Sequence, residues 1–338
     1  MATIYDIAKK TGFSITTVSR ALNDYHDVSA KTKKIILEAV EEMGYYPNSI
    51  ARSLTTKKSW TLGVIFIEDL GVGIKHPFFS AVIQSFKQRV EKIGYDLIFL
   101  SQNIGSEKKS YLDHAIHRGV DGIIIVCSNY DDQEVVKLMD SKIPSVVIDL
   151  HSNKSSVVYS DNFSGSEKAV EYLHSLGHQK IAHISGHKST FAGIERLRGF
   201  KHAIEKLELN IPSSYIVEGG FFSYEGGYKG MKRLLELNER PTAVFAGGDM
   251  MAIGAINAIE DYGLNVPDDF SIIGFDDIEL ARFMTPKLTT VRQDTDLIGE
   301  NAAKVLLSQI NENNKVFSAI TIPVELIIRG STRENLIG

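Results

Sequence analysis

The chain has 338 residues, of which 43% are hydrophobic and 23% are charged, the proportions of an ordinary globular protein. This length exceeds what one hydrophobic core usually serves, so at least two domains are expected. No apolar run is long enough to span a bilayer and no signal peptide is evident, so we expect a cytoplasmic protein. A single cysteine, Cys127, excludes an intramolecular disulfide.

The charge is distributed unevenly along the chain. The net charge is −5, yet residues 1–59 hold nine Lys and Arg against six Asp and Glu. The first segment is therefore mildly basic (+3) and the remainder is acidic (−8). A basic N-terminal segment favours contact with nucleic acid, whereas an acidic body limits indiscriminate binding. Because the basic excess is small, specific fit must supplement phosphate attraction.

The first segment has the pattern of a helix-turn-helix. Ile4 and Ile7 recur at helical spacing, and Gly12 interrupts the run. Ser14 is a suitable N-cap for a second helix over 15–23. In this motif the second helix enters the DNA major groove. Its exposed face carries small or hydrogen-bonding side chains suited to base edges and phosphates: Ile15, Thr16, Ser19, Arg20 and Asn23.

Two further helices follow. Ser29 is expected to cap a third helix over 30–43, which Gly44 ends. Beyond Pro47 the pattern predicts only about seven helical residues. Isolated helices need roughly 12–15 residues to be stable in water. We therefore expect this short helix to be frayed alone and to form only against a partner.

The runs TVSRALN, VSAKTKKII and GYYPNSIARSL resemble the headpiece of the lactose-repressor/galactose-repressor (LacI/GalR) family of bacterial transcription factors. The resemblance implies that the short helix is a hinge, which pairs with its copy from a second subunit in the minor groove. Leu54 would wedge into a base step there, with Arg52 beside the groove. The residues expected to contact DNA are Tyr5, Ser14, Ile15, Thr16, Thr17, Ser19, Arg20, Asn23, Ser29, Tyr45, Asn48, Ala51, Arg52 and Leu54.

Two residues at the reading positions make this headpiece differ from the lactose repressor. Ile15 and Thr16 can contact thymine methyl groups or make a single hydrogen bond, but neither can bind guanine through two. Arg20 can, and we expect it to read a guanine. The operator should therefore differ from that of the lactose repressor.

From residue 61 onward, short apolar strands alternate with amphipathic helices, which predicts parallel sheets covered on both faces. Eight strands are predicted, at 62–67, 97–100, 122–126, 145–149, 180–184, 215–218, 243–246 and 271–274, with an additional last strand at 324–329. The resemblance implies that they form two lobes, as in periplasmic binding proteins. The expected fold is thus an all-α helix-turn-helix headpiece (1–46), a hinge helix and linker (47–60) and an α/β bilobed effector-binding and dimerisation domain (61–338). No heptad pattern follows the last strand, so we expect a dimer without a tetramerising coiled coil.

A ligand between two such lobes would lie at the carboxyl ends of the strands. Charged groups interleaved with flat rings at that place are suited to sugars, because fixed donors and acceptors bind hydroxyls while rings cover the apolar faces. Family motifs place Arg196 in R-x-x-G-F, Asp276 in GFDD and Phe222 at the stacking position. For Asp249 a structural role as a helix cap is equally expected. The full set of candidate effector residues is His76, Phe79, Asp149, Arg196, Phe222, Asp249 and Asp276.

One departure concerns the residue before Asp249. The family usually has a polar residue there, often asparagine, whereas this chain has Gly248. One contact to a ligand hydroxyl is therefore expected to be missing, so the ligand of a relative cannot simply be transferred.

Enzymatic motifs are missing from the sequence. There is no P-loop and no nucleophile elbow, and His174, His178, His183 and His187 lack metal-ligand spacing. We therefore expect neither catalysis, nor a cofactor, nor a metal. The sequence predicts a DNA-binding regulator of carbohydrate-utilisation genes, released from a pseudo-palindromic operator by a sugar. A regulator answering to a purine or protein corepressor and a sugar-transport module remain as alternatives.

Overall fold

The computed structural model describes residues 2–23, 25–45, 58–66, 74–105, 107–126, 132–150, 152, 154–312 and 317–335. The chain divides into two compact units, Met1–Thr61 and Leu62–Gly338. Among the described residues, no helix combines the length and apolar character that a membrane span requires. The predicted hinge helix lies outside the described residues.

The first unit contains three helices, α1 (Ile4–Thr11), α2 (Ile15–Leu22) and α3 (Ala30–Glu42). Their starts follow from local chemistry, because each is preceded by a hydroxyl residue that can accept from a free helix amide. Gly12 ends α1 in the left-handed conformation (φ 75°), as its sequence position predicts. The three helices bury a small core of Ile7, Val18, Ala21, Ile36 and Ala39.

The second unit has two lobes, each built on a six-stranded sheet. The first sheet uses β1 (Thr61–Phe66), β2 (Asp96–Leu100), β5 (Gly122–Val126), β6 (Ser145–Ile148), β7 (Ser156–Ser160) and β13 (Ala319–Ile322), in the order β13-β7-β6-β5-β1-β2. A short β3–β4 hairpin (Asn103–Ile104 and Glu107–Lys108) lies beside it. The helices of this lobe are α4 (Pro77–Glu91), α5 (Tyr111–Arg118), α6 (Gln133–Asp140) and α11 (Thr295–Glu312).

The second sheet uses β8 (Ile181–Ser185), β9 (Ile216–Glu218), β10 (Ala243–Ala246), β11 (Ser271–Asp276), β12 (Thr289–Gln293) and β14 (Val324–Ile327). Their order is β14-β12-β11-β10-β8-β9, and only the edge strand β14 runs antiparallel to its neighbour. Helices α7 (Asn162–Ser175) and α8 (Phe191–Lys206) cover one face, and α9 (Tyr224–Leu235) and α10 (Asp249–Asp261) cover the other.

Within the described residues the chain passes between the lobes three times, at 160–162, 293–295 and 322–324. The eight predicted strands are present, with ends shifted by up to two residues. The prediction omitted β7, β12, β13 and α11, all of which adjoin these crossings. Arg196 lies inside helix α8, which begins at Phe191.

Candidate functional site

The exposed side of α2 carries the predicted base-reading residues. Ser14 accepts a hydrogen bond from the Thr17 amide at 3.1 Å, which fixes the start of the helix. Ile15 is 41% exposed, and Thr16 and Arg20 are also exposed. Tyr5 on α1 is 67% exposed. These side chains are therefore exposed on the face that the sequence predicts to contact DNA.

Other predicted DNA contacts are less accessible. Thr17 and Ser19 are half-buried, and the Asn23 amide donates to the Ser19 carbonyl at 2.8 Å. Ser29 serves as the N-cap of α3 through a 3.1 Å hydrogen bond from the Thr32 amide, and Tyr45 packs against the headpiece core. The remaining predicted contacts lie outside the described residues: Asn48, Ala51, Arg52 and Leu54.

Arg20 makes two contacts with Asp27, at 2.5 Å from Nη2 and 3.2 Å from Nε, and its guanidinium lies 4.9 Å from the centre of the Tyr25 ring. Both groups of the pair are substantially exposed, so the pair contributes little stability. It occupies the Nε and Nη2 donors of the guanidinium. To bind a guanine through that edge, Arg20 would exchange Asp27 for the base.

The cleft of the second unit contains one buried guanidinium surrounded by acceptors. Arg196 donates from Nε to Asn162 Oδ1 at 2.8 Å and from Nη1 to the Gly247 carbonyl at 2.5 Å. Its Nη1 also lies 3.6 Å from Asp276 Oδ1. The guanidinium carbon lies 3.7 Å from the centre of the Phe275 ring. Hydrogen bonds and a ring face together hold the charge in one orientation.

Two partly satisfied carboxyl groups face this cation. Burial raises the pKa of Asp149 to about 6 and that of Asp276 also to about 6, although Arg196 opposes both shifts. Asp276 Oδ1 accepts from the Gln293 amide at 2.6 Å. Asp149 Oδ1 has no hydrogen-bond partner among the described residues. Near neutral pH the two carboxylates exceed the one guanidinium, so the cleft is mildly negative.

The backbone of this region is strained where the candidate ligand contacts lie. Six described residues other than glycine have positive φ angles, and four of them cluster here: Asp149 (53°), Phe222 (54°), Asp276 (125°) and Asp277 (56°). Such conformations persist only where the surroundings enforce them, and they concentrate at functional sites. Three of the four were predicted from the sequence to contact a ligand.

Asp249 has a different environment. It is fully buried, Oδ1 accepts from the Thr290 hydroxyl at 2.5 Å, and Oδ2 accepts from the Ile278 amide at 2.9 Å. Burial, together with the charge of Asp276, raises its pKa well above the usual value. Both of its oxygens are used to connect α10 with the loop after β11 and with β12. The geometry thus favours the structural alternative for Asp249 over a ligand contact.

His76 and Phe79 lie on the opposing lobe, at the start of α4. His76 is 8% exposed, and neither ring nitrogen has a hydrogen-bond partner among the described residues. Burial and, secondarily, the charge of Arg196 lower its pKa to about 4, so the imidazole is neutral. The Phe79 ring packs 5.3 Å from it and 5.6 Å from Phe66. This side of the cleft therefore offers a neutral hydrogen-bonding group beside aromatic rings.

Phe222 and Gly248 shape the remaining wall. A Cβ added at Gly248 would lie 3.4 Å from the Phe222 ring and 3.5 Å from Asp276 Oδ2, both ordinary contact distances. A side chain at this position would thus fit and would point at the candidate ligand contacts. Because Gly248 has no side chain, space remains next to the Phe222 ring. This agrees with the expectation from the sequence that one contact to a ligand hydroxyl is missing.

Sequence reasoning missed Asn162 and Gln293, which join the cleft residues into one network. Asn162 also donates to the Ser160 carbonyl at 3.0 Å, and the Oε1 of Gln293 has no partner among the described residues. Asn162 begins α7 and Gln293 ends the unpredicted β12. Gln293 could have been identified from the sequence, because it is a polar residue at the end of the β-branched run TTVRQ.

Metal binding finds no support in the described part of the chain, where no group of His, Cys, Asp and Glu is placed to hold an ion. His178 instead links three segments, with Nδ1 2.8 Å from Thr242 Oγ1 and Nε2 3.0 Å from Ser271 Oγ. His183 is buried between the rings of Phe200 and Phe245.

Comparisons with known proteins identify the two domains that carry these candidate sites. Residues 3–48 match the family described as "Bacterial regulatory proteins, lacI family", and residues 170–332 match "Periplasmic binding protein-like domain". The HTH-type transcriptional repressor PurR of Haemophilus influenzae (strain PittEE) is 37% identical over 342 residues, covering 99% of this chain and all of the relative. The chain belongs to the lacI family of bacterial regulatory proteins.

Solved structures extend the likeness to the whole LacI fold. A lac repressor dimer bound to operator and the anti-inducer ONPF has a TM-score of 0.82 at 28% identity, covering 98% of this chain and 99% of the other. A CelR–cellobiose complex has a TM-score of 0.72 at 26% identity, covering 98% and 100%. The helix-turn-helix headpiece and the bilobed domain predicted from the sequence are thus confirmed. At this coarser level the chain is a LacI-family transcriptional repressor.

Proposed function

We propose that the protein represses carbohydrate-utilisation genes in the cytoplasm and is released from its operator by a small uncharged sugar. In this proposal a homodimer binds a pseudo-palindromic operator, with one headpiece on each half-site. Two-fold symmetry of the protein requires two-fold symmetry of the DNA site. The sugar binds between the two lobes of each subunit.

The observation that carries the proposal is the cleft network around Arg196. Arg196, Asp276 and Asp149 offer fixed donors and acceptors, and Phe222 offers a ring face. Polar atoms of Asp149, His76 and Gln293 have no partner among the described residues. Buried polar groups of native proteins are normally satisfied, so these atoms are suited to ligand hydroxyls.

The charge of the cleft further narrows the ligand class. The carboxylates exceed the guanidinium, and buried charges interact strongly because water does not screen them. A phosphorylated or carboxylated ligand would add negative charge beside Asp149 and Asp276, where Arg196 is already held by Asn162, Gly247 and Asp276. We therefore propose a neutral polyhydroxyl ligand and not a sugar phosphate. The likeness to the CelR–cellobiose complex supports a sugar.

The proposed release follows from closure of the lobes on the sugar. A ligand that contacts both lobes favours the closed state through its differential affinity. Closure would shift the first lobes of the two subunits and separate the hinge segments of the dimer. The short hinge helix would then lose its partner and its order, and affinity for the operator would fall.

A purine corepressor is the second candidate, favoured by the relatives named PurR. The rings of Phe222 and Phe79 could cover a flat base, while Asp276 and Gln293 could accept from its N–H groups. A purine corepressor would strengthen operator binding, whereas the proposed sugar would weaken it.

Thermal shift followed by operator-binding assays separates the candidates. Ligands that bind the native state raise its melting temperature by mass action. We expect neutral mono- or disaccharides to raise it and to weaken operator binding, with their phosphates inactive. A rise in melting temperature with hypoxanthine or guanine, together with tighter operator binding, would instead support a purine corepressor.

A further inference from the structure

The turn that follows α2 holds the Arg20 guanidinium on two sides. Asp27 accepts from Nε at 3.2 Å and lies 2.5 Å from Nη2, so its two oxygens bind one edge of the guanidinium. The guanidinium carbon lies 4.9 Å from the centre of the Tyr25 ring, which covers one face of the group. Neither Tyr25 nor Asp27 was predicted from the sequence to contact DNA.

The backbone of this turn sets the positions of both neighbours. The Tyr25 amide donates to the Arg20 carbonyl at 3.1 Å, and the Val28 amide donates to the Tyr25 carbonyl at 3.3 Å. Val28 packs against the headpiece core, and Ser29 caps α3. Asp27 is therefore placed beside Arg20 by anchored residues on both sides of it, although its own side chain is exposed.

The contacts with Asp27 leave another edge of the guanidinium available. A carboxylate bound in this side-on way uses the Nε–H and one N–H of Nη2. Nη1 has no hydrogen-bond partner among the described residues, and the Arg20 side chain remains 44% exposed. The other N–H of Nη2 and one N–H of Nη1 form a parallel pair of donors at the end of the group. Such a pair matches the O6 and N7 acceptors of guanine.

We propose that Asp27 is a positioning residue for base recognition, which holds one edge of Arg20 so that the end of its guanidinium binds guanine. The ion pair is then kept in the operator complex. If Arg20 turned to a phosphate instead, the Asp27 carboxylate would be left unpaired beside the DNA backbone, which disfavours that alternative. Ordering a long side chain before binding also lowers the entropic cost of binding. The inference rests on the DNA-binding role of the headpiece and is independent of the effector.

Selection of an operator, followed by base-specific binding measurements, tests the inference. The full-length protein first selects a consensus from a randomised duplex library, and Arg20→Ala then identifies the guanine whose preference depends on Arg20. Affinity is measured for the consensus and for a duplex with adenine at that position. We expect Asp27→Ala to reduce the ratio of the two affinities at least fivefold, with an unchanged melting temperature because Asp27 is exposed.

Glu38→Ala is the matched control, because Glu38 is an exposed carboxylate of the same headpiece that lies 3.9 Å from Lys34 and not beside Arg20. It removes the same charge as Asp27→Ala, so it should change the affinity for both duplexes equally. In an Arg20→Ala background, Asp27→Ala should have no further effect on the ratio, since no guanidinium remains to be positioned.

Three results would overturn the positioning role. An unchanged ratio in Asp27→Ala would show that Arg20 needs no support, and an increased ratio would show that Asp27 competes with guanine for Arg20. A loss that persists in the Arg20→Ala background would show that Asp27 contacts a base itself. Failure of the protein to select any consensus would instead contradict operator binding, on which the proposed function also depends.

Discussion

Arg196 is the cation at the centre of the candidate effector site. Its guanidinium bonds to Asn162 and Gly247 and offsets the charge of Asp276. We expect Arg196→Ala to abolish or weaken at least tenfold the response to the effector, since truncation leaves a buried carboxylate without its cation. Operator binding by the ligand-free protein should be retained, which fluorescence anisotropy with labelled operator would measure.

Arg198→Ala provides the control for that substitution. Arg198 is exposed on the same helix, where it pairs with Glu195 and lies over the Phe163 ring. Its loss should change neither effector response nor operator binding. An unchanged response in Arg196→Ala would show that the ligand lies elsewhere.

The raised pKa values of Asp149 and Asp276, both about 6, predict the pH dependence of binding. Ligand hydroxyls that donate to these carboxylates need the ionised forms, so affinity should rise between pH 5 and pH 7. His76, with a pKa of about 4, stays neutral in this range and adds no titration there. Titration calorimetry at several pH values would measure the profile, which Asp149→Asn should make shallower while Asp276 continues to titrate. Tighter binding at pH 5 would contradict this assignment.

The same raised pKa values also affect the stability of the ligand-free protein, which should fall as the pH rises. A carboxyl whose pKa is raised from 3.8 to about 6 binds more protons in the native state than in the unfolded state between those values. Its contribution to stability is therefore present at low pH and is lost as the pH rises through about 6. The cleft thus retains groups that cost stability at neutral pH, as is common where binding requires them.

At the scale of elements, the headpiece could be predicted closely because its signals are local. Cap residues, a helix-ending glycine and apolar spacing act within a few positions of one another. The lobes were harder, since β7, β12, β13 and α11 owe their places to contacts between distant parts of the chain. In α11, for example, Gly299 packs directly against Ser85 and Phe86 of α4, a proximity that no local pattern indicates.

The difference between local signals and long-range contacts also explains which cleft residues could be predicted from the sequence. Arg196 and Asp276 stand in recognisable motifs, so both could be identified from the sequence. Their connections to Asn162 and Gln293 span 34 and 17 positions and depend on the completed fold. Asp249 lies beside the cleft, yet its two oxygens are already bonded to Thr290 and Ile278. Sequence identifies which residue types are available, whereas packing decides which atoms remain free.

The hinge segment 48–54, outside the described residues, supports a prediction from sequence alone. The helix that the sequence predicts there would be too short to persist without a partner, so we expect the amides of this segment to exchange rapidly in the free protein and slowly in the operator complex. Leu54→Ala should weaken operator binding by about 1 kcal/mol or more while sparing non-specific DNA, because only the specific complex uses the wedge. Hydrogen exchange and competition binding would measure both effects.

Two results would contradict this account of the hinge. Strong protection of the 48–54 amides from exchange in the absence of DNA would mean that this helix is stable alone. The effector could then not act by removing its order. Equal loss of specific and non-specific binding in Leu54→Ala would mean that the leucine supports the headpiece and does not act as a wedge.

At the scale of the molecule, the candidate ligand contacts lie beside the segments that join the two lobes. The crossings at 160–162 and 293–295 contain or adjoin Asn162 and Gln293, which bond to Arg196 and Asp276. A ligand that engages this network would therefore contact residues at the segments where the chain crosses between the lobes. Hinge closure needs only a few such residues to change their backbone angles.

This arrangement predicts that closure and operator release occur together. Small-angle X-ray scattering of the full-length protein should show a decrease in the radius of gyration as the effector is added. Half-maximal decrease should coincide with half-maximal loss of operator binding under the same conditions. Asn162→Ala should reduce both changes in parallel, because it removes the link between Arg196 and the Ser160 carbonyl at the first crossing. Release of the operator at saturating sugar without any change in scattering would show that ligand binding weakens operator affinity without closure of the lobes. The effect of the ligand on the headpiece would then need a different explanation.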